Sequence, residues 1–408
     1  MTLARFPARH VHNAAAVRTD PYDAAARRVV SLERFGDAWG EIRSWPGYRP
    51  TPLVALPGLA GALGLGAIRY KDESRRFGLK SFKALGGAYA VLRVLQRYLA
   101  EHGVAGISAA DLIAGGHRDL CRKMTVACAT DGNHGRSVAW GAEMFGCRCT
   151  IYLHSHVSRT REREIAKYGA EIVRVSGNYD DSVRQCAVDA VAQDWVLIAD
   201  TSAGGQDVSV PATVMQGYTI MAQEILDQLG DTRATHVFVQ GGVGGLAGAV
   251  AGHLWETLGE QRPRIVVVEP TRADCIYRSI EAGEPTPVPG DFDTFMACLA
   301  AGEVSPAAWP LLAAGVDDVI TLPDEAAAEA MRLLAGGVAE DPALVAGESG
   351  AAATAGLVAA GLDPELGRAL GLDGSAAVVV IGSEGATDEA SYAEVVGEPA
   401  EAVEARAA

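Results

Sequence analysis

The chain has 408 residues, enough for two α/β domains with well-developed cores, and its 49% apolar and 21% charged composition is that of a globular protein. A formal net charge of −16, with no Lys/Arg tract beyond short stretches such as residues 159–163, excludes nucleic acid and anionic lipid as expected partners. No apolar run reaches the roughly 18 residues of a membrane span. Seven cysteines form an odd set without a C-x-x-C pair, and no signal-peptide pattern is present, so a reducing cytoplasm is the expected location.

Along the chain, the first fifty residues are mixed, and Trp45-Pro46-Gly47-Tyr48-Arg49-Pro50-Thr51-Pro52 reads as an extended, turn-rich lead-in. Apolar spacing at Leu85, Ala88, Leu92, Leu95 and Leu99 predicts an amphipathic helix beginning near Lys83. Alternating elements follow: strand 124–129, helix 134–145, strand 149–153, helix 159–168, strand 171–175, helix 179–192 and strand 195–199. A second series has helix 214–229, strand 236–240, a glycine loop at 241–245, helix 246–258, strand 264–269 and a late strand 376–381. This alternation is the signature of βαβ units and parallel sheets. The Glu/Ala-rich tail from about residue 398 reads as frayed.

Three constellations carry chemistry. In Ser81-Phe82-Lys83 a lysine opens a helix, where the positive end of the helix dipole disfavours an ammonium and favours imine formation with a carbonyl cofactor; a solvated helix lysine is the plainer reading. The loop Gly241-Gly242-Val243-Gly244-Gly245 lies between a strand and a helix, so its amides can converge on a phosphate. Gly242-x-Gly244-x-x-Ala247 with the acidic Glu269 equally fits a dinucleotide fingerprint, and a ligand-free tight turn fits as well. Thr130-Asp131-Gly132-Asn133-His134-Gly135 sits between strand and helix, able to hold a carboxylate or ring oxygen or simply to cap the helix.

Taken in order, Ser81-Phe82-Lys83 with Gly86-Gly87-Ala88-Tyr89-Ala90, Gly132-Asn133-His134-Gly135 and the glycine loop resemble the fold-type II pyridoxal 5′-phosphate (PLP) enzymes, such as threonine dehydratase. One branch is most similar. Arg76-Phe77-Gly78-Leu79, Asn178-Tyr179-Asp180-Asp181, Met215-Gln216-Gly217-Tyr218, Ala273-Asp274-Cys275-Ile276-Tyr277, Gly347-Glu348-Ser349-Gly350-Ala351 and Ser383-Glu384-Gly385-Ala386-Thr387-Asp388 look like the diaminopropionate ammonia-lyases, over about residues 40–395.

The resemblance implies that Lys83 carries PLP, that Asn133 hydrogen-bonds the cofactor's 3′-oxygen, that Gly241, Gly242, Val243, Gly244 and Gly245 hold its phosphate, and that Ser383 offers a hydroxyl to its ring nitrogen. Gly382 stands where the family leads us to expect a serine. Asp131 and Asp200 are implied as the two carboxylates that serve proton transfer and, with Ser81 and Tyr179, contact the substrate. A departure follows Asp200-Thr201: the family's aromatic-rich stretch is replaced by the aromatic-free segment 202–210, one residue longer, which makes room for a different β-substituent.

His154-Ser155-His156 reads as a surface loop, and Cys147 and Cys149 as strand packing residues. The expected fold is therefore α/β, fold type II like the tryptophan synthase β subunit, with a large discontinuous phosphate-binding domain (1–83 and 196–408) and a small α/β domain (84–195), each with a mostly parallel sheet flanked by helices. The expected function is PLP-dependent α,β-elimination from 2,3-diaminopropionate to pyruvate and ammonia; the alternative is β-elimination or β-replacement on another β-substituted amino acid. The expected partners are a small amino-acid substrate and, by resemblance, a second copy in a homodimer.

Overall fold

The computed structural model describes residues 3–130, 132–155, 157–201 and 208–406. Its contacts divide into two units. The first gathers Met1–Ser31, Pro50–Ser81 and Met221–Ala408, the second Leu32–Arg49 and Phe82–Ile220. The second unit thus includes 32–49, Phe82, Lys83 and 196–220, which the sequence reading puts with the large domain. Among the described residues no helix is long and apolar enough to cross a membrane.

The first unit is built on a seven-stranded sheet in the order Arg9–His12, Asp318–Leu322, Arg264–Pro270, His236–Gln240, Ala377–Gly382, Ala67–Asp72 and Leu53–Ala55. The five central strands run parallel and the two edge strands antiparallel. Central strands such as Val-Phe-Val at 237–239 and Val-Val-Val at 378–380 are continuous apolar runs because helices cover both faces, so no position is left for a solvent-facing residue. The small-residue helix Ala352–Leu362 packs closely on it: a Cβ on Gly356 would lie 2.4 Å from Val268 Cγ2.

One ionic network is buried in this unit. Lys71, on strand Ala67–Asp72, donates to Glu224 (2.7 Å), Gln228 Oε1 (2.9 Å) and the Thr51 carbonyl (2.8 Å). Arg76 grips Glu224 through both terminal nitrogens (2.8 and 2.7 Å) and Glu73 through Nε and Nη2 (2.9 and 2.8 Å). Two cations and two anions, none more than 1% exposed, satisfy one another. Burial pushes the Glu224 carboxyl up, but Arg76 and Lys71 outweigh it and hold it down at about 2.

The second unit has a parallel sheet in the order Glu171–Val175, Arg148–His154, Thr125–Ala129, Val196–Leu197. The strand expected over 195–199 is only two residues long. The helix expected over 214–229 begins earlier, as Ser209–Leu229, because Pro211 falls in its first turn, where no amide donor is required.

Its core is set by how closely three helices approach. A Cβ on Gly87 of helix Lys83–Glu101 would lie 2.4 Å from Ser137 Oγ of helix Asn133–Phe145, and one on Gly141 would lie 2.7 Å from Ala88 Cα. On the other flank a Cβ on Gly217 of helix Ser209–Leu229 would lie 2.5 Å from the Leu85 carbonyl oxygen. Ser137 Oγ donates to the Lys83 carbonyl (2.7 Å) and accepts from the Ala88 amide (3.0 Å), so the first turn of the lysine helix is tied to its neighbour.

The buried network generates a stability prediction. Replacing Glu224 by Gln leaves Arg76 and Lys71 with one carboxylate fewer, and should cost about 3–5 kcal/mol in denaturant unfolding. The folded-state value of about 2 lies below the ordinary 4.5, so this group stabilises above pH 4.5 and its contribution fades as pH falls from 4.5 towards 2. Glu224→Gln should therefore flatten the stability profile in that window; a loss under about 1 kcal/mol would contradict the network's role.

Candidate active site

Lys83 is the first residue of helix Lys83–Glu101, and its Nζ lies 2.5 Å from Asp200 Oδ2. Asp200 follows strand Val196–Leu197, so the end of a strand brings a carboxylate to the start of a helix. Both side chains are largely covered, with 17% and 20% exposed. Burial works against the Asp200 charge, but Lys83 and then His134 overcome it and hold the carboxyl well below the usual range.

His134, second in helix Asn133–Phe145, joins this pair. Its Nε2 lies 2.8 Å from the Ile198 carbonyl, which can only accept, so the proton sits on Nε2. Nδ1 is left bare: it is buried without a hydrogen-bond partner, 3.9 Å from Asp200 Oδ2. Burial lowers the His134 pKa, Asp200 pulls it up and Lys83 pushes it down, with a net lowering. Lys83, Asp200 and His134 thus form one proton-holding cluster. The sequence reading missed His134, although the residue stands inside the quoted Asn133-His134 motif; its tie to Ile198, 64 residues away, has no local signal.

The other expected residues of this unit sit at helix starts. Asn133 opens its helix behind a turn in which Thr130 Oγ1 accepts from the Gly132 and Gly135 amides (3.0 and 3.1 Å). Tyr179 opens helix Tyr179–Gln193 behind a capping box formed by Asn178 and Asp181, its ring edge-on to His154 at 6.4 Å. Asp131, His156 and residues 202–207 of the aromatic-free segment lie outside the described residues. Cys149 is buried as expected, whereas Cys147 is only half-buried.

In the first unit, strand His236–Gln240 leads through the glycine loop into helix Gly245–Leu258. Gly242 (φ +65°) and Gly244 (φ +91°) take left-handed backbone, and a Cβ on Gly244 would also strike Leu312 Cδ1 at 2.4 Å. The loop's carbonyls are turned away and held: Gly242 O accepts from Cys275 Sγ (3.4 Å) and Val243 O from the Ser305 amide (2.9 Å). Peptide planarity then directs the Val243 amide to the opposite side, the Gly244 amide closes the turn onto the Gly241 carbonyl (3.4 Å), and no side chain caps the first turn of the helix. This donor set fits a phosphate.

Glu269 excludes the dinucleotide alternative. Its carboxylate is buried against Gly241 and accepts from the Ile276 (3.0 Å) and Tyr277 (2.8 Å) amides, capping helix Cys275–Ala282 instead of facing a ribose. Burial outweighs those amides and pushes it up to about 8.

Ser383 lies buried just beyond strand Ala377–Gly382. The glycine before it has a local cause, since a Cβ on Gly382 would lie 1.9 Å from Tyr70 Oη. Tyr70 takes the space that a serine side chain would need. Ser81, also buried, bridges Glu384 in antiparallel fashion.

Comparison with known proteins converges on the same chemistry. The family model described as pyridoxal-phosphate dependent enzyme matches residues 44–384. The chain belongs to that family. It is 40% identical over 363 residues to the diaminopropionate ammonia-lyase of Escherichia coli strain K12, covering 88% of this chain and 89% of that one. The holo crystal structure of the diaminopropionate ammonia lyase from Escherichia coli, with selenomethionine incorporated, superposes with a TM-score of 0.87 at 35% identity, covering 97% of this chain and 98% of that one. The same enzyme in complex with D-serine gives a TM-score of 0.87 at 36% identity, covering 98% and 100%. The fold is thus type II of the PLP enzymes, and PLP is the cofactor.

The loop geometry makes a binding prediction. Gly244→Ala places a methyl group on left-handed backbone and against Leu312, so its affinity for PLP should fall at least about tenfold in a spectroscopic titration, while pyridoxal, which lacks the phosphate, binds as before. Equal PLP binding by the variant would contradict the phosphate assignment.

Proposed function

We propose that this chain is a PLP-dependent ammonia-lyase acting on 2,3-diaminopropionate, yielding one pyruvate and two ammonia with the consumption of one water. The observation that carries the reading is the Lys83–Asp200 pair, in a chain 40% identical over 88% of its length to a diaminopropionate ammonia-lyase. Bound PLP supplies the electron sink for the pair left at the substrate Cα. The residues do the rest.

Lys83 holds the cofactor and, when not holding it, is an amine able to take or return the Cα proton. Asp200, kept ionised by its neighbours, accepts and steers the protons that Lys83 gives up, and Asp131 serves as the second carboxylate. Two carboxylates and a lysine permit proton removal from either face, hence use of both D- and L-isomers. The Asn133 amide would donate to the 3′-oxygen, the loop Gly241, Gly242, Val243, Gly244 and Gly245 would hold the phosphate through amides other than that of Gly241, which donates to the Val268 carbonyl (2.9 Å), and the Ser383 hydroxyl would serve the ring nitrogen. Ser81 and Tyr179 orient the substrate carboxylate and amino groups.

One observation favours a second reading. The segment 202–210, which follows Asp200-Thr201 in sequence, contains no aromatic residue, and this composition would suit a substrate whose β-substituent is not an amine, to be eliminated or replaced. The chain works as a homodimer in the cytoplasm; none of its seven cysteines forms a disulfide, in keeping with a reducing compartment, and a monomeric mass in light scattering would overturn the dimer.

The purified enzyme should release pyruvate and ammonia in a ratio of 1:2 from both D- and L-2,3-diaminopropionate. No pyruvate from either isomer, with turnover on another member of a panel of β-substituted amino acids, would transfer the assignment to the second reading. Asp200→Asn should lower kcat by about 100-fold or more, as loss of a proton-transfer group does. A variant within a few-fold of wild type would remove Asp200 from the chemistry.

A further inference from the structure

Tyr218 belongs to none of the roles above, yet its placement is costly. It stands on helix Ser209–Leu229, within the second unit, and is 1% exposed. Room for its ring exists only because residue 86 is glycine: a Cβ there would lie 2.4 Å from Tyr218 Cε1. Phe82, next to the lysine, packs edge-on to the Tyr218 ring at 4.7 Å and 61°. The ring thus lies on the first turn of the lysine helix. Its hydroxyl is buried without a hydrogen-bond partner, although Lys83 is close enough to bear on it and Asp200 acts on it by charge.

A buried hydroxyl without a partner is penalised, and phenylalanine would fill the same space without that cost. The missing partner has a chemical explanation. A lysine ammonium has three donors and no acceptor, so Lys83, one of whose N–H groups goes to Asp200, offers the phenol O–H nothing to donate to. A neutral amine has one lone pair, and the Tyr218 O–H is the donor that matches it.

We infer that Tyr218 is a positioning residue of the Lys83 site, its hydroxyl donating to the neutral Lys83 amine and fixing where the Nζ lone pair points. This rests on Lys83 being the cofactor's carrier. Burial keeps the phenol protonated through neutral pH, so it serves as a donor and never as a base. The other titratable groups around the pair, among the described residues, are Asp200, His134 and Cys128, whose thiol burial also keeps protonated. A donor that stabilises the neutral amine lowers the pH at which Lys83 becomes reactive.

The test compares wild type, Lys83→Ala and Tyr218→Phe as full-length proteins. The first readout is the pH dependence of the rate at which the cofactor-free chain takes up PLP, followed by its visible absorption band. Lys83→Ala should show no such band; if it does, the reading of Lys83 fails, whatever Tyr218 does. Tyr218→Phe should keep the band and a melting temperature no lower than wild type, because only an unpaired hydroxyl is removed. Its loading midpoint and the acid limb of its kcat profile should both move up by about one pH unit, with kcat at neutral pH down about tenfold and KM within about twofold. Unmoved midpoints would overturn the inference, and so would a lowered melting temperature with loss of cofactor, which marks a purely structural tyrosine.

Discussion

Helix Lys83–Glu101 is pressed on two sides at once, and the arrangement of the second unit depends on that. Gly86 and Gly87 face opposite neighbours: the first makes room for Tyr218 and the Val214 carbonyl, the second for Ser137. Gly141 and Gly217 return the approach from the partner helices. Any side chain at these positions would force the helices apart by more than a packed interior absorbs without repacking. The close fit, together with the bond from Ser137 to the Lys83 carbonyl, fixes the first turn and thereby the amine at its start. Glycines usually weaken a helix interior; here the lost propensity is the condition for placing the lysine.

Two ion pairs in the chain show how the same chemistry serves different ends. Lys71, Arg76, Glu73 and Glu224 are almost fully buried, and each charge has an opposite charge in hydrogen-bond contact, so the network acts as a structural tie. The Lys83–Asp200 pair retains partial exposure and has two incomplete neighbours, the bare Nδ1 of His134 and the free hydroxyl of Tyr218. Unsatisfied polar atoms around a lysine are unfavourable in a resting core and make sense where the lysine changes its protonation and its bonds during a reaction.

Much of this was legible in the sequence. The periodicity at Leu85, Ala88, Leu92, Leu95 and Leu99 gives the helix that Lys83 opens, and the apolar runs at 236–240 and 264–269 give adjacent parallel strands, because both signals are local. The glycine loop, too, sits between strand and helix as its pattern requires. Four strands of the large sheet were not read: Arg9–His12 and Leu53–Ala55, at four and three residues, are too short to set a period, and the central strands Ala67–Asp72 and Asp318–Leu322 carry charged or polar residues among their apolar ones. Nor were the partners made over long separations. Glu269 fits a dinucleotide motif by spacing, but the start of helix Cys275–Ala282 claims both its oxygens, and at Gly382, where a serine was expected, Tyr70 fills the space that a side chain would need.

The most direct measurement is to reduce the PLP-loaded enzyme with borohydride and to find, by peptide mass spectrometry, which residue bears the pyridoxyl group. The account predicts stoichiometric modification at Lys83 alone, since this is the lysine that the glycine-lined helix start holds against Asp200. Modification at another lysine, or none under conditions where the cofactor is bound, would contradict it.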